Sequence, residues 1–478
     1  MRRSLAEFAS AMHGTLVGAD APFGAVTTDS RSVAPGELFV ALPGPRFDAH
    51  EFVAAAAARG AAGAVVSRRV DAALPQIVVA DTLQALTDAA VAWRAQFVLP
   101  VVAVAGSNGK TTSKELAAAM LGEAGACHAT RGNLNNHIGV PLTLLALEPA
   151  HRAAVVEIGA NCAGEVAALV PLVRPTVGLV TNAGAEHLEG FGDLDGVARA
   201  EGELFAGLEP GATAVINADD RYAALWRGQS RAGRSLSFGL SASADFRAEG
   251  LVTLVRTGRG AAATPELVQE FTLVTPSGRV ALRLALAGRH NVVNALGAAA
   301  AAHAAGASLA AIAAGAARMR PVAGRLQLRA AQGDALLVDD SYNANPSSLT
   351  AGLALLAELP GERWLVLGDM AELGAHARAA HVAAGHEARA AGVKRLFALG
   401  ALTGDAVESF GTGAEWFPEA AALAARVQSL LAPGVTVLIK GSRLNRLERV
   451  VAALLPPAAD AGTDAGADAG AAQRAGTH

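Results

Sequence analysis

The run Gly106-Ser107-Asn108-Gly109-Lys110-Thr111-Thr112 follows directly on the apolar stretch "VVAVA" (101–105). The two glycines let backbone N–H groups converge on an anion without Cβ interference, and a helical pattern starting at Lys110 adds its positive dipole end. Lys110 supplies a charge for a β/γ-phosphate, and the Thr111 hydroxyl is placed to ligate Mg²⁺. The longer phosphate-loop pattern needs glycine where Val104 stands, so this is the shorter GxxGK[ST]T form. It predicts nucleotide binding; the alternative is a glycine-rich strand-to-helix turn with a solvated lysine.

Two more residues could share that chemistry. Glu157 ends the apolar run "AVVEIGA", and His187 follows "TVGLVTNAGAEH". Alone, each reads as a cap or a satisfied polar side chain. Together, beyond strands that follow a phosphate loop, they read as oxygen and imidazole ligands of magnesium.

The elements that must position these groups are legible as four apolar, β-rich runs that break on glycine or polar residues: 101–110, 153–161, 176–187 and 212–220. Helix-like stretches lie between most of them. That alternation predicts a parallel sheet covered on both faces, with ligands bound beyond the carboxyl ends of its strands. The same grammar recurs at 335–346, 363–374 and 436–443, after a polar, β-leaning region near 234–287. The turn-like "RPVAGR" (320–325) reads as a hinge between the two sets, and "ELFVAL" (37–42) and "AGAVVS" (62–67) belong to a smaller unit upstream. The expected class is α/β in three domains: a small N-terminal α/β domain at 1–97, a central phosphate-loop domain with a parallel sheet at 98–319 and a C-terminal α/β domain at 320–456. The tail at 457–478 is low in complexity and expected to be disordered.

Composition narrows the partners. A length of 478 residues with 52 % hydrophobic and 17 % charged side chains is enough for several cores. The formal net charge of −4 gives no basic footprint for nucleic acid. Two cysteines, Cys127 and Cys162, make no disulfide framework and suit a reducing compartment. Glu7 and His13 interrupt any secretion-type apolar stretch, so a cytoplasmic protein is expected. The alanine- and glycine-rich segment 295–317 is long enough to cross a membrane, but it carries His303 and Ser308. Alanine favours helix and partitions weakly into lipid, so it is expected as buried helix, with no membrane contact.

Further motifs stand in a fixed order around these: "TDSRSVAPGELFVALPGPRFDAHEF" (28–52), "RGNLNNHIGVPLTLLAL" (131–147), "EIGANCAGE" (157–165), "TNAGAEHLEGFG" (181–192), "GRHNVVNALGAAA" (288–300), "AGRLQ" (323–327), "VDDSYNANPSS" (338–348), "LGDMAELG" (367–374) and "IKGSR" (439–443). With them the chain resembles the Mur ligases, the ATP-dependent amide-forming enzymes of peptidoglycan synthesis, over nearly all its length except the tail. The resemblance is nearest to members that add D-alanyl-D-alanine to a UDP-N-acetylmuramoyl-tripeptide. It implies an N-terminal domain holding the UDP end, a central ATP-binding domain and a Rossmann-like C-terminal domain. It also implies ATP and Mg²⁺ as cofactors, those two small molecules as partners, and a monomer.

Roles carry over position by position. Gly106 to Thr112 would hold ATP, with Lys110 on its phosphates, Thr111 and Glu157 on one magnesium ion and His187 on a second. Asn291 would lie against adenine, Arg325 would reach a phosphate and Asp340 the ribose. Asp29, Ser30 and Arg31, with the "GPRFDAHEF" stretch, would hold the UDP end, and Asn135 and Asn136 would lie near the muramoyl-peptide. Lys440, Ser442 and Arg443 are candidates for reading the dipeptide. One position departs: fourteen residues after the histidine, where many members carry a carbamylated lysine, stands Glu201. Glu201 would supply the negative charge to the metals directly, leave the second metal site weakened, or be a solvent-facing helix residue. Other amino-acid ligases of the same superfamily, a folylpolyglutamate synthase-like ligase and a non-catalytic ATP-binding switch remain as alternatives.

Overall fold

The computed structural model describes residues 3–44, 47–256 and 266–456. The expected tail, and Pro45 and Arg46 of the "GPRFDAHEF" stretch, lie outside the described residues. Among the described residues, three sheets follow one another, with five, nine and six strands.

The central sheet positions the phosphate loop. An interior strand, Val101–Ala105, is buried throughout and pairs in parallel with Ala153–Glu157 on one side and Val177–Val180 on the other. Thr213–Asn217 and Arg234–Gly239 extend the parallel set. Continuous apolar strands of this kind need cover on both faces, and helices supply it. Because the strands run the same way, Gly106, Glu157 and the residues after Val180 all emerge at one rim. Beyond Phe246–Arg256 the sheet turns antiparallel through Glu266–Thr275 and Gly278–Leu284. This ribbon is the polar β-leaning region, and it makes the central sheet mixed, where a parallel one was expected.

The alanine-rich segment forms two helices, Arg289–Ala304 and Leu309–Arg318, separated at Gly306, with Ser308 capping the second. Both pack against the helix Lys110–Gly122 that follows the loop. Small side chains permit a very close approach: a Cβ on Gly315 would stand 2.5 Å from the backbone nitrogen and Cα of Met120. Among the described residues, no helix is long and apolar enough to cross a membrane.

Residues 319–326 contain no helix or strand and lead into the third sheet. There Leu336–Asp340, Val435–Lys440 and Glu362–Gly368 pair in parallel. Of their carboxyl ends, Asp340 and Lys440 line a cavity shared with the rim of the central sheet. The N-terminal sheet is parallel except for Thr15–Val17, which pairs antiparallel with Gln76–Val78.

Candidate functional site

Two glycines give the loop its shape. Gly106 (φ +114°) and Gly109 (φ +82°) both occupy left-handed conformations that favour glycine. A Cβ on Gly106 would meet Thr181 Oγ1 at 2.3 Å, and one on Gly109 would meet Asn294 Oδ1 at 2.2 Å. Ser107 Oγ donates to Gly184 O at 3.2 Å, and Thr181 Oγ1 donates to Asn108 O at 2.7 Å. The loop is thereby tied to the neighbouring strand end before any ligand is considered.

Lys110 leans back over this loop. Its Nζ donates to Gly106 O and Ser107 O and lies 3.2 Å from Glu186 Oε1. Burial alone would lower its pKa, but Glu186, Glu201 and Glu157 together push it above the ordinary lysine value. Burial pushes the Glu186 carboxyl up, against the pull of Lys110 and His187. Glu186 is buried and lines the cavity, and it was missed at the sequence level. The available signal was a second charged residue beside His187 in an alanine- and glycine-rich strand end.

Glu201 is not solvent-facing. It is buried, and its Oε2 accepts from Gly106 N–H at 2.6 Å. Burial above all, and Glu186 as well, push its carboxyl up to about 7, with Lys110 opposing. It is not among the residues that line the cavity. Its placement therefore supports a role in holding the phosphate loop from behind and does not support the expected role as a metal carboxylate.

Most of the other expected residues line one cavity of about 1320 Å³ between the central and C-terminal domains, together with Ser107 to Thr112. Asn135 Nδ2 donates to Glu157 Oε1 at 2.9 Å, whereas the Asn136 side chain accepts from the N–H groups of Ile138 and Gly139. Asn291 Nδ2 donates to Ala287 O at 2.7 Å, and its Oδ1 accepts from Asn294. Arg325 lies over the Tyr342 ring at 4.3 Å and donates to Thr111 Oγ1 at 3.2 Å. Asp340 pairs with buried Lys440 at 2.6 Å, the inward end of the "IKGSR" stretch, and Ser442 and Arg443 line the cavity too. Burial, helped by Lys440, holds His290 down at about 4, so this cavity-lining imidazole is neutral at ordinary pH. Asp29, Ser30 and Arg31 lie elsewhere, on an N-terminal loop after Val26–Thr27; Asp29 pairs with Arg31 at 2.8 Å.

Besides the Arg325–Thr111 hydrogen bond, further contacts join the central and C-terminal domains around the loop. Asn108 Nδ2 donates to Ser347 Oγ, and Asn108 Oδ1 accepts from Asn345 Nδ2, both at 2.9 Å. His187 Nδ1 lies 2.8 Å from Glu372 Oε2.

Among the described residues, no three His, Cys, Asp or Glu side chains stand close enough to cage a metal by themselves. Magnesium bound with phosphates keeps waters and needs only one or two protein carboxylates. Glu157 fits that requirement. Its Oε2 is buried without a hydrogen-bond partner, with Lys114 Nζ no nearer than 3.9 Å. An unsatisfied buried carboxylate oxygen is costly unless a cation meets it, and Glu157 lines the cavity beside Thr111 and Lys110.

A phosphate loop at a parallel-sheet rim, faced across a cavity by a second α/β domain, defines a class of multidomain nucleotide-binding ligases. The chain belongs to the Mur ligase family: the Mur ligase middle-domain model matches residues 104–302, the glutamate ligase domain model residues 324–443, and the catalytic-domain model residues 22–105. It is 46 % identical, over 94 % of its length and 98 % of the relative's, to an Escherichia coli (strain K12) UDP-N-acetylmuramoyl-tripeptide–D-alanyl-D-alanine ligase. A crystal structure of MurF from Acinetobacter baumannii superposes with a TM-score of 0.86 at 34 % identity, covering 95 % of this chain and 98 % of that one. A MurF ligase from Thermotoga maritima in complex with ADP shares the fold at a TM-score of 0.75 and 24 % identity, covering 90 % of this chain and 96 % of that one.

Proposed function

We propose that this chain uses ATP to join D-alanyl-D-alanine to a UDP-N-acetylmuramoyl-tripeptide. The observation that carries this reading is the 46 % identity, almost end to end, to a ligase of that name. This reading implies a cytoplasmic enzyme, and the single-chain cavity suits a monomer.

A carboxylate is a poor electrophile, so amide formation needs an activated acyl group. The peptide carboxylate attacks the γ-phosphorus of ATP, giving an acyl phosphate and ADP. The dipeptide amine then attacks the carbonyl, and phosphate leaves. The first step brings two anions together. Like unit charges about 4 Å apart repel by ~1 kcal/mol in water and ~4 kcal/mol at an effective dielectric near 20. Lys110 and the loop N–H groups oppose that repulsion, because phosphoryl transfer depends mainly on positioning and charge neutralisation. Thr111 and Glu157, with His187 nearby, would hold Mg²⁺, which when bound supplies further neutralisation of phosphate and carboxylate charge. Glu201 holds Gly106 and so the curvature of the loop. Asn291, Arg325 and Asp340 surround the space for adenine, phosphate and ribose. Asn135 and Asn136 would border the muramoyl-peptide, while Asp29, Ser30 and Arg31 would hold the distant UDP end, where remote binding energy fixes a long substrate. Closing the C-terminal domain keeps water from a hydrolysable intermediate.

The test is ADP and phosphate release with each substrate supplied alone and with both, against a panel of UDP-muramoyl peptides and amines. Release that requires the tripeptide and D-alanyl-D-alanine together supports the reading. Slow hydrolysis of ATP whatever is added would identify a switch, and preference for another amine would identify a different amino-acid ligase.

A further inference from the structure

His187 and Glu372 are both non-glycine residues in the left-handed region, at φ +48° and +63°. Such conformations are strained and persist where the surroundings over-determine them. These two belong to different domains and meet each other: His187 Nδ1 lies 2.8 Å from Glu372 Oε2, and both line the cavity. The backbone reinforces the meeting, since Glu189 N–H donates to Glu372 O at 3.4 Å. Nearby Gly374 (φ +53°) also borders the central domain: a Cβ there would stand in ordinary van der Waals contact, 3.4 Å, with Glu189 Cα.

The chemistry of this pair has a direction. An ionised carboxylate only accepts hydrogen bonds, so the proton of a neutral imidazole must sit on Nδ1, leaving Nε2 with its lone pair. A histidine that binds a metal commonly donates its other ring N–H to a carboxylate, which fixes the tautomer and the ring plane. We propose that Glu372 is a positioning residue for His187, so that the imidazole on the central domain becomes a competent metal ligand only when the C-terminal domain is docked. This rests on the reading of His187 as a magnesium ligand. By linkage, metal bound there favours the docked arrangement by the same factor.

Mn²⁺ can stand in for Mg²⁺ as a spectroscopic probe, added to the full chain with a non-hydrolysable ATP analogue. Its affinity is read by titration, and the imidazole ligand by nitrogen coupling in pulsed electron paramagnetic resonance. Glu372→Ala is expected to weaken Mn²⁺ binding on the order of tenfold or more and to diminish the nitrogen coupling, while metal-free nucleotide affinity stays unchanged. Glu372→Gln should recover part of both, because its amide oxygen still accepts from Nδ1. The variant carrying both His187→Ala and Glu372→Ala should bind Mn²⁺ no more weakly than His187→Ala alone. If His187→Ala loses the coupling and affinity but Glu372→Ala keeps both, Glu372 has no positioning role and the metal reading of His187 survives. If His187→Ala leaves the coupling and affinity intact, the metal reading of His187 falls and this inference falls with it.

Discussion

Lys110 sits among three buried carboxylates, Glu157, Glu186 and Glu201, and its charge is what lets them share one small volume. On the proposed reading, removing it takes away both a phosphate ligand and the counter-ion. Lys110→Ala is expected to reduce ADP formation by at least about a hundredfold, with both substrates present; turnover near that of the unaltered chain would remove the phosphate-loop assignment. Glu201 makes a different kind of prediction. Its carboxyl titrates near 7, above the ordinary glutamate value, so the folded chain binds more protons than the unfolded chain between those values. Stability therefore falls as pH rises from about 4.5 to 7, by up to about 3 kcal/mol from this group. Glu201→Gln removes that dependence and still accepts from Gly106 N–H. Calorimetric Tm curves recorded with a chelator should converge at pH 5 and separate at pH 8, the glutamine variant being the more stable. Parallel curves would show that the carboxyl is not raised. At this scale the sequence was readable wherever chemistry follows from local spacing, as at Gly106 to Thr111. It was not readable at Glu201, whose departure from the family pattern was visible but whose partner, a backbone N–H 95 residues earlier, was not.

The helix Pro346–Glu358 opens with a reciprocal capping box, in which Asn345 and Ser348 satisfy each other's backbone N–H groups. Asn345 also donates to Asn108 of the phosphate loop, so one side chain both starts a helix and braces a site in another domain. Two substitutions separate these roles. Ser348→Ala and Asn345→Ala should each cost about 1 kcal/mol of stability, measured by denaturant unfolding. Only Asn345→Ala should also raise the KM for ATP several-fold; equal KM values would show that the Asn108 contact is idle. Strands such as Val101–Ala105 and Ala153–Glu157 were legible because burial on both faces removes polar residues from them. The strands Phe246–Arg256, Glu266–Thr275 and Gly278–Leu284 were seen only as β-leaning, since an antiparallel strand mixes polar and apolar residues and does not declare its pairing direction.

At the scale of the molecule, the cavity belongs to no single domain. Its central wall carries the phosphate loop, and its opposite wall carries Asp340, Lys440 and Glu372. Domain organisation was readable because each sheet announces itself by a run of similar strands. The docking contacts were not, since Asn345 and Glu372 acquire their meaning only when separate folding units meet. Besides the apolar packing of Leu188, Leu267 and Ala287 against the C-terminal core, Asn108 and His187 bond directly to the C-terminal domain. Asn108→Asp puts a carboxylate at the mouth of the loop and removes the donor to Ser347. It should increase the radius of gyration measured by X-ray scattering in the presence of ATP, and raise ATP hydrolysis uncoupled from product.

Behind the phosphate loop, Gly315 lies against the Met120 backbone with no space for a methyl group, and the alanine-lined face of 289–304 presses on the same helix. Any bulkier residue introduced there would tilt that helix and carry Lys110 with it. Sequence drift, or a laboratory search for sturdier variants, therefore has to work on the outward faces of these helices, because this inner seam transmits each added carbon to Lys110.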